Sequence, residues 1–306
     1  MNPVNSEHPL VSVIIPTLER PVHLKKTLSC LLAQDYAPLE IIVVDQSETP
    51  SFSLTDFPAP GFTCLRLTRQ NLPLARNRGL SAARGGIVIF LDDDLDFGPS
   101  LVSEHVKGHG LYRETSAITG RIRLVPPHAW PRQDKPAILD RKTAKFLPNF
   151  DLDAPGECDF FAGCNISFTR SVFEKLGGFD TRYIYNALYE EVDFCLHMKK
   201  AGLKVFYYPP AEVTHFRAES GGCRKLTGSD YLFIKFYNTG LFFCKNLFTL
   251  LPLAFLKAMK DEIEFYSRKK GGHAWGRAFY LLLGLVLGCA RGALAALTGP
   301  LRNRRI

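Results

Sequence analysis

"NLPLARNRGLSAARGGIVIFLDDD", residues 71–94, changes period in its middle. Residues 74–84 read as a helix, and residues 86–94 as a strand whose apolar run stops abruptly at Asp92, Asp93 and Asp94, with Asp96 close behind. A helix feeding a strand is half of the repeating unit of an α/β domain. Three adjacent carboxylates repel one another, and a turn after a strand needs only one, so the cluster calls for a positive partner.

The flanking sequence repeats the pattern. "LVSVIIPTL" (10–18) is apolar and β-branched and reads as a buried strand. Residues 21–34 carry apolar side chains at helical spacing, with Pro21 suited to a helix start. "LEIIVVDQS" (39–47) is a second strand and "FTCLRLT" (62–68) a third. Strand, helix, strand, strand, helix, strand implies an α/β fold with a mostly parallel sheet. In such sheets ligands bind beyond the carboxyl ends of the strands. Thr17, Glu19, Asp45 and Asp92 to Asp94 all stand at such ends, so three strand ends are expected to face one crevice.

Residues 121–157 are rich in Pro and mixed charge, without a clear period, and read as a long loop or lid. Residues 189–202 hold a helix ending at Gly202, and residues 204–216 a strand leading to His215. The chain has 306 residues, 46% hydrophobic and 22% charged, enough to bury a core without disulfides. Its eight Cys form no C-x-x-C pair, which argues against a zinc or thioredoxin-like site and for reduced thiols in a cytosolic protein. The polar start, "MNPVNSEHPL", lacks the apolar core of a signal peptide.

Of the net charge of +8, all but one unit falls in residues 257–306, which hold ten Lys/Arg and three acids. The body is close to neutral, so a nucleic-acid groove is not indicated there. From residue 231 the composition turns apolar and aromatic. The uninterrupted apolar run 278–290 is shorter than the roughly 20 residues that a spanning helix needs. Basic residues bracket it. Helices lying in the interface of an anionic membrane fit this better than ordinary packing helices or a span. The boundary is placed at 225/226: residues 1–225 as the α/β domain, residues 226–306 as a basic, amphipathic helical tail.

Hard divalent cations prefer carboxylate oxygens, and alternate side chains of an extended segment point the same way. Asp92 and Asp94 therefore suit a cation that also holds a diphosphate.

"VSVIIPTLERP", "LEIIVVDQSE", the opening stretch, "LGGFD" and "EEVDFCLHMKKAG" resemble, in order, the motifs of family 2 glycosyltransferases with the GT-A fold. The match covers roughly residues 10–225. The resemblance implies an inverting glycosyltransferase, of hexosyl type, that uses a nucleotide-sugar donor and a divalent cation, Mn²⁺ or Mg²⁺. It implies nucleotide contacts from Pro16, Thr17, Glu19 and Asp45, though many relatives carry Asn at the position of Glu19. It implies that Arg76 lies near the base or the diphosphate, that Asp92 and Asp93 also serve the donor, and that Asn165 of "GCN" lines the sugar or acceptor pocket. The cation falls to Asp92, Asp94 and His215, with Asp94 the nearer ligand. The family's base is the Asp of a Glu-Asp pair; this chain has Glu-Glu, and Glu191 takes the base position.

With the basic tail, the expected acceptor is a lipid-linked or cell-surface glycan precursor, in polysaccharide biosynthesis. The expected location is cytoplasmic, peripheral to the cytoplasmic face of an anionic membrane. Two rival readings share some of these features. A nucleotidyltransferase would need a Gly-rich, basic phosphate loop, which "PTLERP" is not. A catalytically degenerate nucleotide-sugar-binding or scaffold protein finds support only in the Glu191 departure.

Overall fold

The computed structural model describes residues 8–50, 61–127, 130, 133–185, 187–218, 221–222, 228–267 and 274–298. The strands are β1 (Val11–Thr17), β2 (Leu39–Asp45), β3 (Phe62–Arg66), β4 (Ile87–Leu91), β5 (Leu95–Asp96), β6 (Ala117–Leu124), β7 (Ile138–Asp140), β8 (Lys145–Leu147), β9 (Gly156–Cys158), β10 (Asn165–Thr169) and β11 (Val205–His215). The helices are α1 (Pro21–Leu32), α2 (Leu72–Ala82), α3 (Leu101–Leu111), α4 (Arg170–Leu176), α5 (Glu190–Lys200), α6 (Gly228–Asn246), α7 (Leu251–Ser267) and α8 (Ala274–Thr298).

One mixed, mostly parallel sheet runs β3-β2-β1-β4-β10-β6-β11-β5, with β9 added to β11. β1 and β4 are buried along their whole length, as parallel strands covered on both faces should be. β4 is a continuous run of Ile, Val, Phe and Leu, and β1 holds Val13–Ile15 at its centre; these are the apolar stretches legible in the sequence. α2 starts cleanly because the Asn71 side chain accepts from the Leu74 N–H and also donates to the Tyr183 carbonyl at 2.8 Å.

Register sets up the site. β1 and β4 pair in parallel with Ile14 opposite Phe90, so three residues on, Thr17 and Asp93 leave the sheet level with each other. β1 and β2 end together with Thr17 opposite Asp45. β11 ends with His215 paired to Leu95, immediately after the acidic cluster.

The 121–157 stretch is more ordered than a lid. Its first residues finish β6, a strand deep in the sheet, between β10 and β11. Arg121 and Arg123, which break the apolar pattern, are paired with Asp151, Asp153 and Glu212. β7 and β8 form a hairpin, pinned where the Phe146 ring meets Tyr189, 5.0 Å between centroids, and Phe242, 5.8 Å.

α6 packs into the body. Tyr237, Leu241, Phe242 and Phe243 belong to the main core. Lys245 Nζ, almost fully buried, lies 2.6 Å from Asp180 Oδ2 and 2.8 Å from Asp193 Oδ2, and Arg182 shares Asp180 at 2.8 Å. α8 lies against α6 along a glycine ridge. A Cβ at Gly284 would stand 2.4 Å from the Phe233 carbonyl oxygen, and one at Gly288 2.1 Å from that of Tyr237. The outer faces of α7 and α8 carry exposed Leu253, Leu256, Leu282, Val286, Leu294 and Leu297. Among the described residues no helix is long and apolar enough to cross a membrane.

Removing one partner of a buried ion pair strands a charge away from water, at about 3–5 kcal/mol. Lys245→Ala should therefore cost about that much in urea unfolding; a loss within about 0.5 kcal/mol, the range of surface substitutions, would refute the contact.

A second expectation concerns acid. His105 and His109 of α3 are both buried and share Ser167, each 2.9 Å from its hydroxyl. Burial pushes His105 down to about 4 and His109, helped by His105 itself, down to about 3. An unfolded chain protonates its imidazoles near pH 6.5. Their neutral burial is thus fully tolerated above that pH and increasingly penalised as pH falls toward the folded values. About 2 kcal/mol per imidazole should be lost between about pH 7 and about pH 5. Urea midpoints measured across that range should fall, and His109→Asn should flatten the decline.

Candidate active site

The cluster at the end of β4 is held in place from three directions. The Thr17 hydroxyl donates to Asp93 Oδ2 at 2.7 Å, as the register dictates. Arg20, just past β1, reaches Asp93 Oδ1 at 3.0 Å and Asp94 Oδ2 at 3.3 Å with the same nitrogen. The Ala218 N–H, just past β11, donates to Asp94 Oδ2 at 2.9 Å. Burial pushes Asp93 up to about 6, although Arg20 and Thr17 pull the other way. Burial would raise Asp94 too, but His215, Ala218 and Arg20 win and hold it well below the usual carboxylate range.

Asp94 Oδ1 faces His215 Nε2 at 3.0 Å, and Asp92 Oδ2 stands 4.0 Å from the same nitrogen. Asp94 is nearly sealed, its side chain 1% exposed, whereas Asp92 is 33% exposed and opens to the cleft. Burial opposes a charge on His215, but its bonds to Asp94 and Cys164, with Asp92 nearby, push it up to about 11. Asp92, His215 and Cys164 each present a ligand atom, and these atoms lie within 4.8 Å of one another. Carboxylate, imidazole and thiol around one point fit a divalent cation.

The cleft above this point is open to solvent and lined by Pro16, Thr17, Arg20, Gln46, Gln70 and Asp92 among others. Tyr185, which also lines it, stands just before α5. Three non-glycine residues just before that helix, Tyr185, Ala187 and Tyr189, have positive φ (55°, 49° and 74°). Such conformations are costly and collect where a structure must aim particular side chains. Here they aim Glu190 and Glu191. Arg76 on α2 is buried between them, in contact with Glu190 and 3.3 Å from Glu191 Oε1. The Gly163 N–H donates to that same Oε1 at 2.9 Å. A Cβ at Gly163 would sit 2.1 Å from both the Arg76 guanidinium and the Glu191 carboxylate, so the approach requires glycine. Glu191 remains 34% exposed. Its carboxyl is raised above the usual value by burial of its surroundings and by Asp92, against the pull of Arg76.

The structure thus gathers Pro16, Thr17, Asp92, Asp93, Asp94 and His215 at one cleft, while Arg76 and Glu191 meet at Gly163, the residue before Cys164. The other expected residues lie elsewhere. Asp45 is fully buried, held by Arg66 at 2.5 Å and by the Ser47 N–H at 2.9 Å, behind Gln46. Glu19 adopts φ 56°, the left-handed region, and its N–H donates to Ser47. Asn tolerates that backbone better than Glu does. Asn165 is fully buried inside the sheet, donating to the Arg121 and Ala211 carbonyls and meeting His105 at 2.8 Å.

Arg20, Cys164 and Glu190 were missed. Arg20 had a signal: a base directly after a strand end, where a cluster of acids needed a cation. Glu190 reads in sequence as one more acid in a first helical turn, and Cys164 as one of eight scattered thiols; only folding brings them to the site.

The family model described as "Glycosyl transferase family 2" matches residues 12–177. The chain is 27% identical over 220 residues to a glucosyl-dolichyl phosphate glucuronosyltransferase of Haloferax volcanii, covering 67% of this chain and 68% of the relative. It is 27% identical over 217 residues to an amylovoran biosynthesis glycosyltransferase of Erwinia amylovora, covering 63% of this chain and 65% of that one. Among solved structures, the mannosyltransferase of Pyrobaculum calidifontis, in complex with GDP-Man and Mn²⁺, superposes with a TM-score of 0.54 at 19% identity. That alignment covers 97% of this chain and 77% of the mannosyltransferase. At such identity the likeness shows the fold, and the GT-A-like architecture expected from the motifs stands. The family match covers more than half of the sequence, and the chain belongs to glycosyltransferase family 2.

Proposed function

We propose that this glycosyltransferase moves a sugar, with inversion, from a nucleoside-diphosphate sugar to a hydroxyl of a lipid-linked or cell-surface glycan precursor. The observation that carries the reading is a juxtaposition. Gly163 holds Glu191 through its N–H, and the next residue, Cys164, lies against His215 and Asp92. A partly exposed carboxylate and a cation-ready cluster therefore flank one strip of backbone at the end of an open cleft.

The cleft lined by Pro16, Thr17, Gln46 and Gln70 receives the nucleoside, and the diphosphate points toward Asp92. Asp92 and His215 would hold the cation. Asp94, sealed and fixed by Arg20 and Ala218, orients His215 from behind, as a carboxylate commonly does for a metal-binding imidazole. When bound, the cation supplies positive charge opposite the diphosphate as its bond to the sugar breaks. Arg20 and Thr17 keep Asp93 in place, so the cluster does not collapse under its own repulsion.

Glu191 is the base. Arg76 and the Gly163 N–H occupy Oε1, which leaves Oε2 to take the proton of the acceptor hydroxyl. A carboxylate with a raised pKa is a better proton acceptor than an ordinary one. The hydroxyl oxygen bonds to the anomeric carbon from the face opposite the leaving diphosphate, which departs with the bonding electrons. One displacement inverts the configuration. Arg76 serves the reaction by fixing Glu191.

A lipid-linked acceptor is supported by the dolichyl phosphate in the name of the Haloferax relative, by the exposed apolar faces of α7 and α8, and by the basic character of residues 257–306. The enzyme would work peripherally at the cytoplasmic membrane face.

Purified protein screened against nucleotide sugars should release nucleoside diphosphate from one donor, and EDTA should abolish the release. Glu191→Gln should lower kcat by on the order of 10²–10⁴ with nucleotide affinity unchanged; full activity in this variant would eliminate Glu191 as base. On the membrane side, the protein should float with anionic vesicles but not with neutral ones. Leu282→Glu together with Leu294→Glu should abolish flotation, and unchanged flotation would remove α8 from the membrane contact.

A further inference from the structure

We propose that Cys164 is a direct ligand of the cation, a soft donor beside Asp92 and His215 that tilts the enzyme toward thiophilic metals and away from Mg²⁺. The inference deepens the metal-dependent reading above and rests on it.

The geometry is specific. Cys164 is the residue before β10, and its thiol is buried. Its Sγ lies within 4.8 Å of ligand atoms of both Asp92 and His215, which are themselves that close to each other. Three donors from three separate segments, the ends of β4 and β11 and the start of β10, converge on one point. Among the described residues, this is the one group of three or more such side chains with that spacing.

The position of the thiol is fixed by its neighbours. Gly163 is clamped to Glu191, and Asn165 is fastened inside the sheet by two donated hydrogen bonds and by His105. Cys164 stands between these two anchors, so its side chain has little freedom to turn away. On coordination the thiol loses its proton to solvent and binds as thiolate.

A thiolate discriminates by softness. Mg²⁺ favours oxygen ligands at short distance and keeps its waters, so it gains nothing from sulfur. Zn²⁺, Co²⁺ and Cd²⁺ accept nitrogen and sulfur readily, and Mn²⁺ falls between. An all-oxygen and imidazole site would follow only the general order of divalent affinities. A site with Cys164 should depart from that order in favour of Cd²⁺, and the departure should vanish with the sulfur.

The test uses the full-length protein and the metals alone. Mn²⁺ binding is read from loss of the free-ion paramagnetic resonance signal, and Cd²⁺ and Co²⁺ binding from thiolate-to-metal charge-transfer absorbance. Wild type should bind Mn²⁺ and show a Cd²⁺–thiolate band that Mn²⁺ competes away. Cys164→Ser should keep Mn²⁺ binding, lose that band, and lower the preference for Cd²⁺ over Mn²⁺ by roughly tenfold or more. Cys164→Ala, with its melting curve, provides the same comparison if the serine variant does not fold. If wild type binds Mn²⁺ but the band and the metal preference survive in both variants, the ligand role is wrong while the cation site stands. If wild type binds neither Mn²⁺ nor Cd²⁺, both the site and the proposal fall. Asp92→Asn separates the two, since it should weaken every metal, whereas loss of Cys164 should weaken the soft ones.

Discussion

Asp93 and Asp94 lie side by side, buried, at the end of β4, and this is the constraint that organises the molecule. Two adjacent carboxylates removed from water are not tolerated without compensation. The compensating groups arrive from two other strand ends. Thr17 closes β1 and Arg20 stands just past it; His215 closes β11, and the Ala218 N–H comes just after it. The ends of three strands are thereby tied to one point. Asp92, the third member of the cluster, is left open to the cleft because its two neighbours absorb the available partners.

The same logic recurs on the opposite wall. Glu190 is buried and Glu191 half-open, and one guanidinium serves both. The helix that carries Arg76 packs on the sheet, and the helix that carries the glutamates begins after a run of left-handed residues. Neither element would place a carboxylate beside the cleft alone. Position here is a property of pairs of elements, held by charges that could not be buried singly.

Much of the fold was legible because its central strands are covered on both faces. β4 has nothing polar to interrupt it, and β1 and β2 carry a single polar residue near their starts, Ser12 and Glu40, which bond each other, so all three appear in sequence as apolar runs ending in chemistry. β6 was hidden for the opposite reason. Arg121 and Arg123 break its pattern, and their acidic partners are supplied by distant residues, Asp151, Asp153 and Glu212. Lys245 was misleading in the same way. Within an apolar stretch it looks like a residue bound for solvent, yet it fills a buried site between Asp180 and Asp193. Of the cleft, the acids and His215 were readable as polar residues at strand ends. Asp45 and Asn165 were equally polar and equally well placed in sequence, but the fold uses their hydrogen bonds internally. Polarity at a strand end marks a candidate; whether it faces outward depends on partners that sequence spacing does not reveal.

The glycine ridge between α6 and α8 has a consequence for any enzyme that works at a boundary between water and lipid. Side chains that associate by escaping water lose that incentive once hydrocarbon surrounds them. Helices whose backbones touch through small residues depend instead on van der Waals proximity, which hydrocarbon does not abolish. With Gly284 and Gly288 set against the carbonyls of Phe233 and Tyr237, the α6–α8 joint is indifferent to its solvent. The outer apolar face of α8 is therefore free to exchange water for acyl chains while its inner face, and the catalytic body fastened to α6, keep the same geometry.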